Sequence, residues 1–174
     1  MSAGATAAGL VGASVHCRPV ESSDIESICQ LKYAYFRLLD LKRFTELGEL
    51  LTEDATTAYQ SGELRQSGRA AVVAFLQESL GDSDIITMHN GHHPEIELGD
   101  DDTANGRWYL EDRVIVPAHD FEIHGTALYE DRYTKVEGSW KISHTGYERI
   151  YEEHIRYSSG AVRSIRAGGQ TTTF

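Results

Sequence analysis

Residues 107–116 read Arg107-Trp108-Tyr109-Leu110-Glu111-Asp112-Arg113-Val114-Ile115-Val116, and the alternation in this stretch decides the fold. Successive side chains of an extended strand point to opposite faces. Trp108, Leu110, Asp112, Val114 and Val116 therefore share one face, and Arg107, Tyr109, Glu111 and Arg113 share the other. One face is made for an interior and the other for water. Asp112 is the lone charge on the apolar stripe. A carboxylate buried without a partner costs several kcal/mol. Asp112 is thus either a partnered core residue that holds the sheet together or a member of a pocket.

The alternating signal extends from Asp84 onward. Strands are expected over 85–88 continuing to 95–98, then 105–116, 121–136 and 139–151, with a shorter one near 56–59 turned by Ser61-Gly62. The links between the later strands are short and rich in turn residues: Gly99-Asp100-Asp101-Asp102, Pro117 to Asp120, and Glu137-Gly138. Such links favour antiparallel neighbours. Upstream the period is helical. Ser23-Asp24-Ile25-Glu26 forms a capping-box sequence. Ile25, Ile28, Cys29, Phe36 and Leu39, widened by Leu31, Tyr35 and Leu38, predict a helix to about Asp40. Phe44, Leu47, Leu50 and Leu51 predict a second helix. A third lies between Gly68 and Gly81 on Val72, Val73, Leu76 and Leu80. Helices followed by a long run of strands give an α+β class, with three N-terminal helices covering one face of a curved antiparallel sheet.

Composition narrows the function. The chain has 174 residues, 16 Lys plus Arg against 27 Asp plus Glu, and a formal charge of −11. That balance suits one domain and repels a phosphate backbone, so nucleic acid is not an expected partner. No apolar run approaches the roughly 20 residues that span a bilayer, and no membrane association is expected. Cys17 and Cys29 lack metal-ligand spacing, which fits a reducing cytoplasm. Residues 1–19 read as a flexible arm without the basic start of a signal peptide. Residues 154–174 read as a tail bearing Arg156, Arg163 and Arg166 and no acid, either folded over acidic surface or available to a phosphate group.

Two further clusters are candidates for chemistry. Met88-His89-Asn90-Gly91-His92-His93-Pro94-Glu95 places three histidines within five residues. Alternation puts His89 and His93 on one face and His92 on the other unless Gly91 creates a bulge. No zinc spacing is matched, so no metal is expected, and a histidine acting as a base is the better reading. The first helix carries Tyr33, Tyr35 and Asp40. On an ideal helix Tyr33 lies almost directly in line with Asp40, whereas Tyr35 lies well round the cylinder; a loosened helix end would let Asp40 turn inward independently. Phosphate loops, nucleotide fingerprints and nucleophile elbows are missing.

The order of elements resembles the cone-shaped, cystatin-like α+β barrel of the nuclear transport factor 2 superfamily, also called SnoaL-like, over about residues 20–153. Four stretches look closer to one branch. They are Tyr35-Phe36-Arg37-Leu38-Leu39-Asp40, Met88-His89-Asn90-Gly91-His92-His93-Pro94-Glu95-Ile96, Gly106-Arg107-Trp108-Tyr109-Leu110-Glu111-Asp112-Arg113, and Thr145-Gly146-Tyr147-Glu148-Arg149-Ile150-Tyr151-Glu152-Glu153-His154. Together they resemble the bile acid 7α-dehydratases, with scytalone dehydratase a more distant relative. The resemblance implies an active site of Tyr35, Asp40, Tyr59, His89, Asp112 and Arg149, a homotrimer, and a lyase that needs no cofactor. The implied substrate is a hydroxylated 3-oxo steroid, a bile acid or its coenzyme A thioester.

The chemistry accommodates these residue types. Eliminating water beside a conjugated ketone requires a base, a path for the hydroxide and a donor for the developing enolate. His89 suits the base, since an ordinary imidazole, with pKa about 6.5, is largely neutral near pH 7. Asp40 would fix its tautomer. Tyr35 and Tyr59 would donate hydrogen bonds without adding charge. Asp112 would hold the leaving group, or donate to it if protonated, and Arg149 would pair with Asp112 or with Asp40. A non-catalytic carrier of an apolar ligand, a ketosteroid isomerase and a dehydrohalogenase are the alternatives on the same fold.

Overall fold

The computed structural model describes residues 22–159, 161–167 and 170–173. The expected arm over 1–19 lies outside the described residues, and so does the side chain of Ser23 on which the capping box rests. Helix α1 spans Ser22–Asp40, α2 Phe44–Gly48 and α3 Arg69–Leu80. Strands are β1 (Leu51–Tyr59), β2 (Leu64–Ser67), β3 (Ile86–Leu98), β4 (Thr103–Val116), β5 (Phe121–Val136), β6 (Ser139–Arg156), β7 (Ala161–Ala167) and β8 (Gln170–Thr173).

The apolar stripe of α1 explains its seat. Ile28, Leu31, Tyr35, Phe36, Leu38 and Leu39 are all buried in the common core. Gly68 and Gly81 bound α3 as the sequence predicts. The second helix is shorter than expected. It stops at Gly48, and Leu51 opens a strand because the Leu50 carbonyl already accepts the Ile142 amide at 2.9 Å.

The sheet runs β2-β1-β6-β5-β4-β3, curved and unclosed, with β7 paired to β6 and β8 to β7. Strands β3 to β6 form the expected antiparallel meander. The expectation of a wholly antiparallel sheet is corrected at one place: β1 pairs with β6 in parallel. After the β1–β2 hairpin, α3 carries the chain to the far edge. The meander then returns with β6 running in the direction of β1. The segment read as a tail contributes sheet as well: residues 154–156 complete β6, and β7 takes the edge of β6 beyond the part that β1 covers. No helix among the described residues is long and apolar enough to cross a membrane.

Alternation in β4 is realised as far as Arg113, with Trp108, Leu110 and Asp112 buried, and is lost at Val114, Ile115 and Val116, which are all half-buried. The interior also contains a charge that the sequence did not announce. Lys32 on α1 is 0% exposed and its ammonium lies 2.7 Å from Asp131 Oδ2 on β5. Asp131 Oδ2 in turn accepts from the Tyr133 hydroxyl at 2.8 Å, and the Trp108 indole donates to that hydroxyl at 3.0 Å. Removing one member of such a pair strands the other charge. Lys32→Ala is therefore expected to cost about 3–5 kcal/mol in a urea denaturation series; a change below 1 kcal/mol would show that the pair does not anchor α1.

Candidate active site

Three residues on α1 set the site. Phe36 and Asp40 are four residues apart and occupy one face of the helix, and both meet His89 on β3. Oδ1 of Asp40 lies 2.6 Å from His89 Nδ1, and Oδ2 accepts the His89 backbone amide at 3.0 Å. The carboxylate thus grips side chain and main chain of the same residue. The Phe36 ring stacks on the imidazole at 6.3 Å and 5°. Room for Phe36 comes from Gly91, where an added Cβ would lie 2.5 Å from its ring. The His89 side chain is 7% exposed, and Nε2 has no partner among the described residues. Burial opposes ionisation of Asp40, but the hydrogen bonds and charge of His89 outweigh it and hold the carboxyl below its usual range.

Directly opposite His89 in the β3–β4 register stands Asp112, 2% exposed. Its two oxygens accept from Arg149 of β6, Nη1 at 2.5 Å and Nη2 at 2.7 Å. Acceptance at both oxygens from one guanidinium is the bidentate geometry of a carboxylate–arginine ion pair. The open choice for Arg149 is resolved toward Asp112 rather than Asp40. Burial alone would lower the Arg149 pKa, but the Asp112 hydrogen bonds, with the nearby Tyr147 and Glu152, raise it instead. To reach Asp112 the guanidinium crosses the intervening strand above Gly125. A Cβ there would lie 3.1 Å from Arg149 Nη1 and 2.7 Å from the Tyr151 carbonyl.

The Tyr35 and Tyr59 hydroxyls are 3.2 Å apart. Burial pushes both phenols above their ordinary pKa, that of Tyr35 despite its bond to Tyr59. Both stay protonated near neutrality, and since one proton serves the bond between them, a single O–H proton is left to donate. Aromatic contacts join this pair to the ionic ones. Tyr35 meets Phe36 edge-on at 5.8 Å, Tyr59 lies 5.0 Å from Tyr147, and the Arg149 guanidinium covers Tyr147 at 4.9 Å. The six candidates therefore fall into three pairs linked in one closed circuit: Asp40–His89, Phe36, Tyr35–Tyr59, Tyr147, Arg149–Asp112, and across the ladder to His89 again.

Helical facing misassigned Tyr33. It is 42% exposed and packs edge-on against Trp108 at 6.1 Å, while Asp40 reaches His89 from the last position of the helix. The bulge in β3 lies between His92 and Glu95, with His93 at φ 51°, and not at Gly91. His92 consequently faces outward opposite Tyr109, 3.7 Å from Glu111. Among the described residues no three His, Cys, Asp or Glu side chains are grouped to hold an ion. Sequence reasoning missed Phe36 and Tyr147 as parts of the site. It also missed Glu152, whose carboxylate is 3.4 Å from Arg149 Nε and 3.0 Å from His154. Spacing could have found Phe36, four residues before Asp40; Glu152 is reached only through a break in the β5–β6 register.

Comparison with known proteins gives a consistent picture. The SnoaL-like domain family matches residues 20–146. A proposed scytalone dehydratase from Novosphingobium aromaticivorans is similar over 84% of this chain and 94% of its own, at 22% identity and a TM-score of 0.69. The hexachlorocyclohexane dehydrochlorinase LinA-type3 from Novosphingobium barchaimii is similar over 76% and 90%, at 17% identity and 0.68. ActVI-ORFA from Streptomyces coelicolor is similar over 72% and 96%, at 15% identity and 0.61. At these identities the structures share the fold.

Gly125 offers a direct test of the Arg149 geometry. Gly125→Ala is expected to push the guanidinium off Asp112 and to destabilise the fold by about 1–3 kcal/mol, as overpacking does. Denaturation and a crystal structure of the variant would measure both. An unchanged bidentate pair would refute the account.

Proposed function

This chain belongs to the SnoaL-like domain family, and from that premise we propose that it is a cofactor-independent lyase that removes water from a hydroxylated 3-oxo steroid. The observation that carries the reading is the imidazole of His89. Its Nδ1 is bound to Asp40 at 2.6 Å while Nε2 has no described partner, and Asp112 faces it across the ladder. That is the arrangement of a general base with a fixed tautomer. Nε2 takes the proton from a carbon activated by the conjugated ketone, and Asp40 stabilises the imidazolium that forms. The electron pair moves into the enone, where a tyrosine O–H meets the growing negative charge on oxygen. The hydroxide leaves as that charge collapses back. The proton held by His89 is the one needed to release it as water, so atoms and charge balance within the site.

Asp112 has no proton to give in its pairing with Arg149. Its remaining lone pairs suit it to accept from the substrate hydroxyl and orient it. The steroid class, as a bile acid or its coenzyme A thioester, rests on the resemblance of the four motif stretches. The homotrimer rests on the same resemblance. It is supported by the outer sheet face, where Tyr109 and Leu128 stand exposed.

The test uses a 7α-hydroxy-3-oxo-4-ene steroid with mass analysis of the product. Wild-type protein is expected to yield the dehydrated diene. His89→Ala is expected to lower the rate about 10²–10⁴-fold, and Asp40→Asn to reduce it with folding intact. Dehydration by His89→Ala at a near wild-type rate would exclude the base. An isomer of unchanged mass would replace the lyase by an isomerase. Native mass spectrometry is expected to show three chains together, and a monomer at micromolar concentration would remove the trimer.

A further inference from the structure

The turn that ends α1 is built for glycine and carries a lysine. The Arg43 amide bonds the Leu38 carbonyl at 2.9 Å and the Lys42 amide bonds the Leu39 carbonyl at 3.1 Å, the paired pattern of a Schellman cap. Lys42 occupies the left-handed position of that cap, with φ 59°. Glycine is usual there because a Cβ is strained. The side chain adds a second cost. The Lys42 ammonium is buried and makes no hydrogen bond to any described residue, although desolvation of a charge is expensive. Backbone preference and solvation would each choose another residue. Strain of this kind, observed rather than assumed, points toward function.

The surroundings say what the charge acts on. Burial pushes the Lys42 ammonium below its ordinary pKa, and the carboxylates whose fields oppose that are Asp40, two residues away, and Asp82. Asp82 is exposed and its charge is screened by water, whereas Asp40 is the carboxylate that grips His89. Thr87, two residues before His89, also has a buried hydroxyl without hydrogen-bonding geometry to a described partner, and its dipole favours ionised Asp40. The other charged groups around the dyad are Asp112 on β4 and, on β6, Arg149 and Glu152, of which Arg149 pairs with both carboxylates. The Phe36 ring stacks on the imidazole.

We propose that Lys42 is a positioning residue of the Asp40–His89 base, a fixed positive charge at the end of α1 that keeps Asp40 ionised and opposes protonation of the imidazole. This rests on the dyad acting as the base. A proton arriving on His89 adds positive charge near a cation already in place, so Lys42 holds the dyad in its proton-accepting form to lower pH. The sign follows directly: removing the cation makes proton uptake easier and moves the midpoint upward.

The test is an NMR pH titration of the histidine ring in the full chain, with His89→Gln for assignment, in wild type, Lys42→Gly, Lys42→Met and Lys42→Arg. Each variant is also melted thermally. In Lys42→Gly and Lys42→Met the midpoint of the coupled pair is expected to rise by about half a unit, the effect of one nearby charge in a partly solvated site. Lys42→Arg is expected to restore the wild-type midpoint. Lys42→Gly is expected to raise the melting temperature as the left-handed strain is relieved, a direction opposite to that of a residue kept for stability. Below the midpoint, kcat/KM of the glycine variant is expected to fall about threefold, the population change that half a unit produces. An unmoved midpoint in both Gly and Met variants would overturn the proposal. The titration needs no substrate. Failure of the steroid assay would therefore count against the lyase reading and leave the role of Lys42 to be decided by the ring.

Discussion

A lysine with no exposure sits at the centre of the fold, and the rest of the site is placed by what that ammonium demands. Lys32 finds Asp131 Oδ2 at 2.7 Å, the Thr145 hydroxyl at 3.4 Å and the Tyr129 ring at 3.6 Å. Burial lowers its pKa, against the opposing pull of Asp131. Such pairs contribute little net stability compared with apolar residues of the same volume, since desolvation takes back most of the Coulomb gain. What the pair supplies here is address. An apolar stripe could slide on the sheet by a turn at modest cost, but only one seating of α1 satisfies Lys32. That seating fixes where Phe36 and Asp40 fall, one and two turns further along the same helix.

The site built on this seating separates groups that change charge from groups that do not. The Arg149–Asp112 pair is locked by two hydrogen bonds, and the Tyr35 and Tyr59 phenols are held protonated by burial. Asp40 is kept ionised by His89. The imidazole of His89, its Nδ1 held by Asp40, is the member of the circuit to which the proposed chemistry assigns the moving proton. Two glycines make the arrangement possible without taking part in it. Gly91 admits the Phe36 ring that stacks on His89, and Gly125 opens the path by which Arg149 crosses a strand to Asp112.

The sequence was legible where a period of two or of 3.6 governs the side chain, whereas Tyr59 and Arg149 entered the candidate site only through the family resemblance. The alternation of residues 107–116 put Asp112 indoors, and the helical stripe put Tyr35 and Phe36 there. Legibility ended where an irregularity overrides the period. Asp40 acts from a helix terminus, so facing along an ideal cylinder chose Tyr33 instead. Gly91 invited a bulge that the backbone makes at His93. Lys32 interrupts an apolar stripe, and the partner that permits its burial is a hundred residues away, so nothing local marks it as inward. The parallel pairing of β1 with β6 depends on the route of α3 across the molecule, which no window of sequence contains. Strand β2 and the strands of the C-terminal segment are short or lack clear apolar alternation, the signal by which longer strands are read.

Charge around the circuit also bears on how a substrate of the proposed kind would lie. Asp40, Asp112 and Glu152 contribute three negative charges against the positive charges of Arg149 and Lys42, while Lys32 and Asp131 cancel in the core. An enolate growing next to the carboxylates would be opposed by them. The uncharged donors are at the Tyr35–Tyr59 end, joined to Asp112 on one side through Tyr147 and Arg149 and on the other through Phe36 and His89. On the proposed chemistry the ketone oxygen belongs at the tyrosine end and the departing hydroxyl at the Asp112–Arg149 end, with His89 on the carbon between them. A flat, rigid molecule whose ketone and hydroxyl stand several bonds apart meets both ends at once. A small ketone with the two groups on adjacent carbons would meet only one of them, and the proposed chemistry accordingly calls for a polycyclic substrate rather than a compact one.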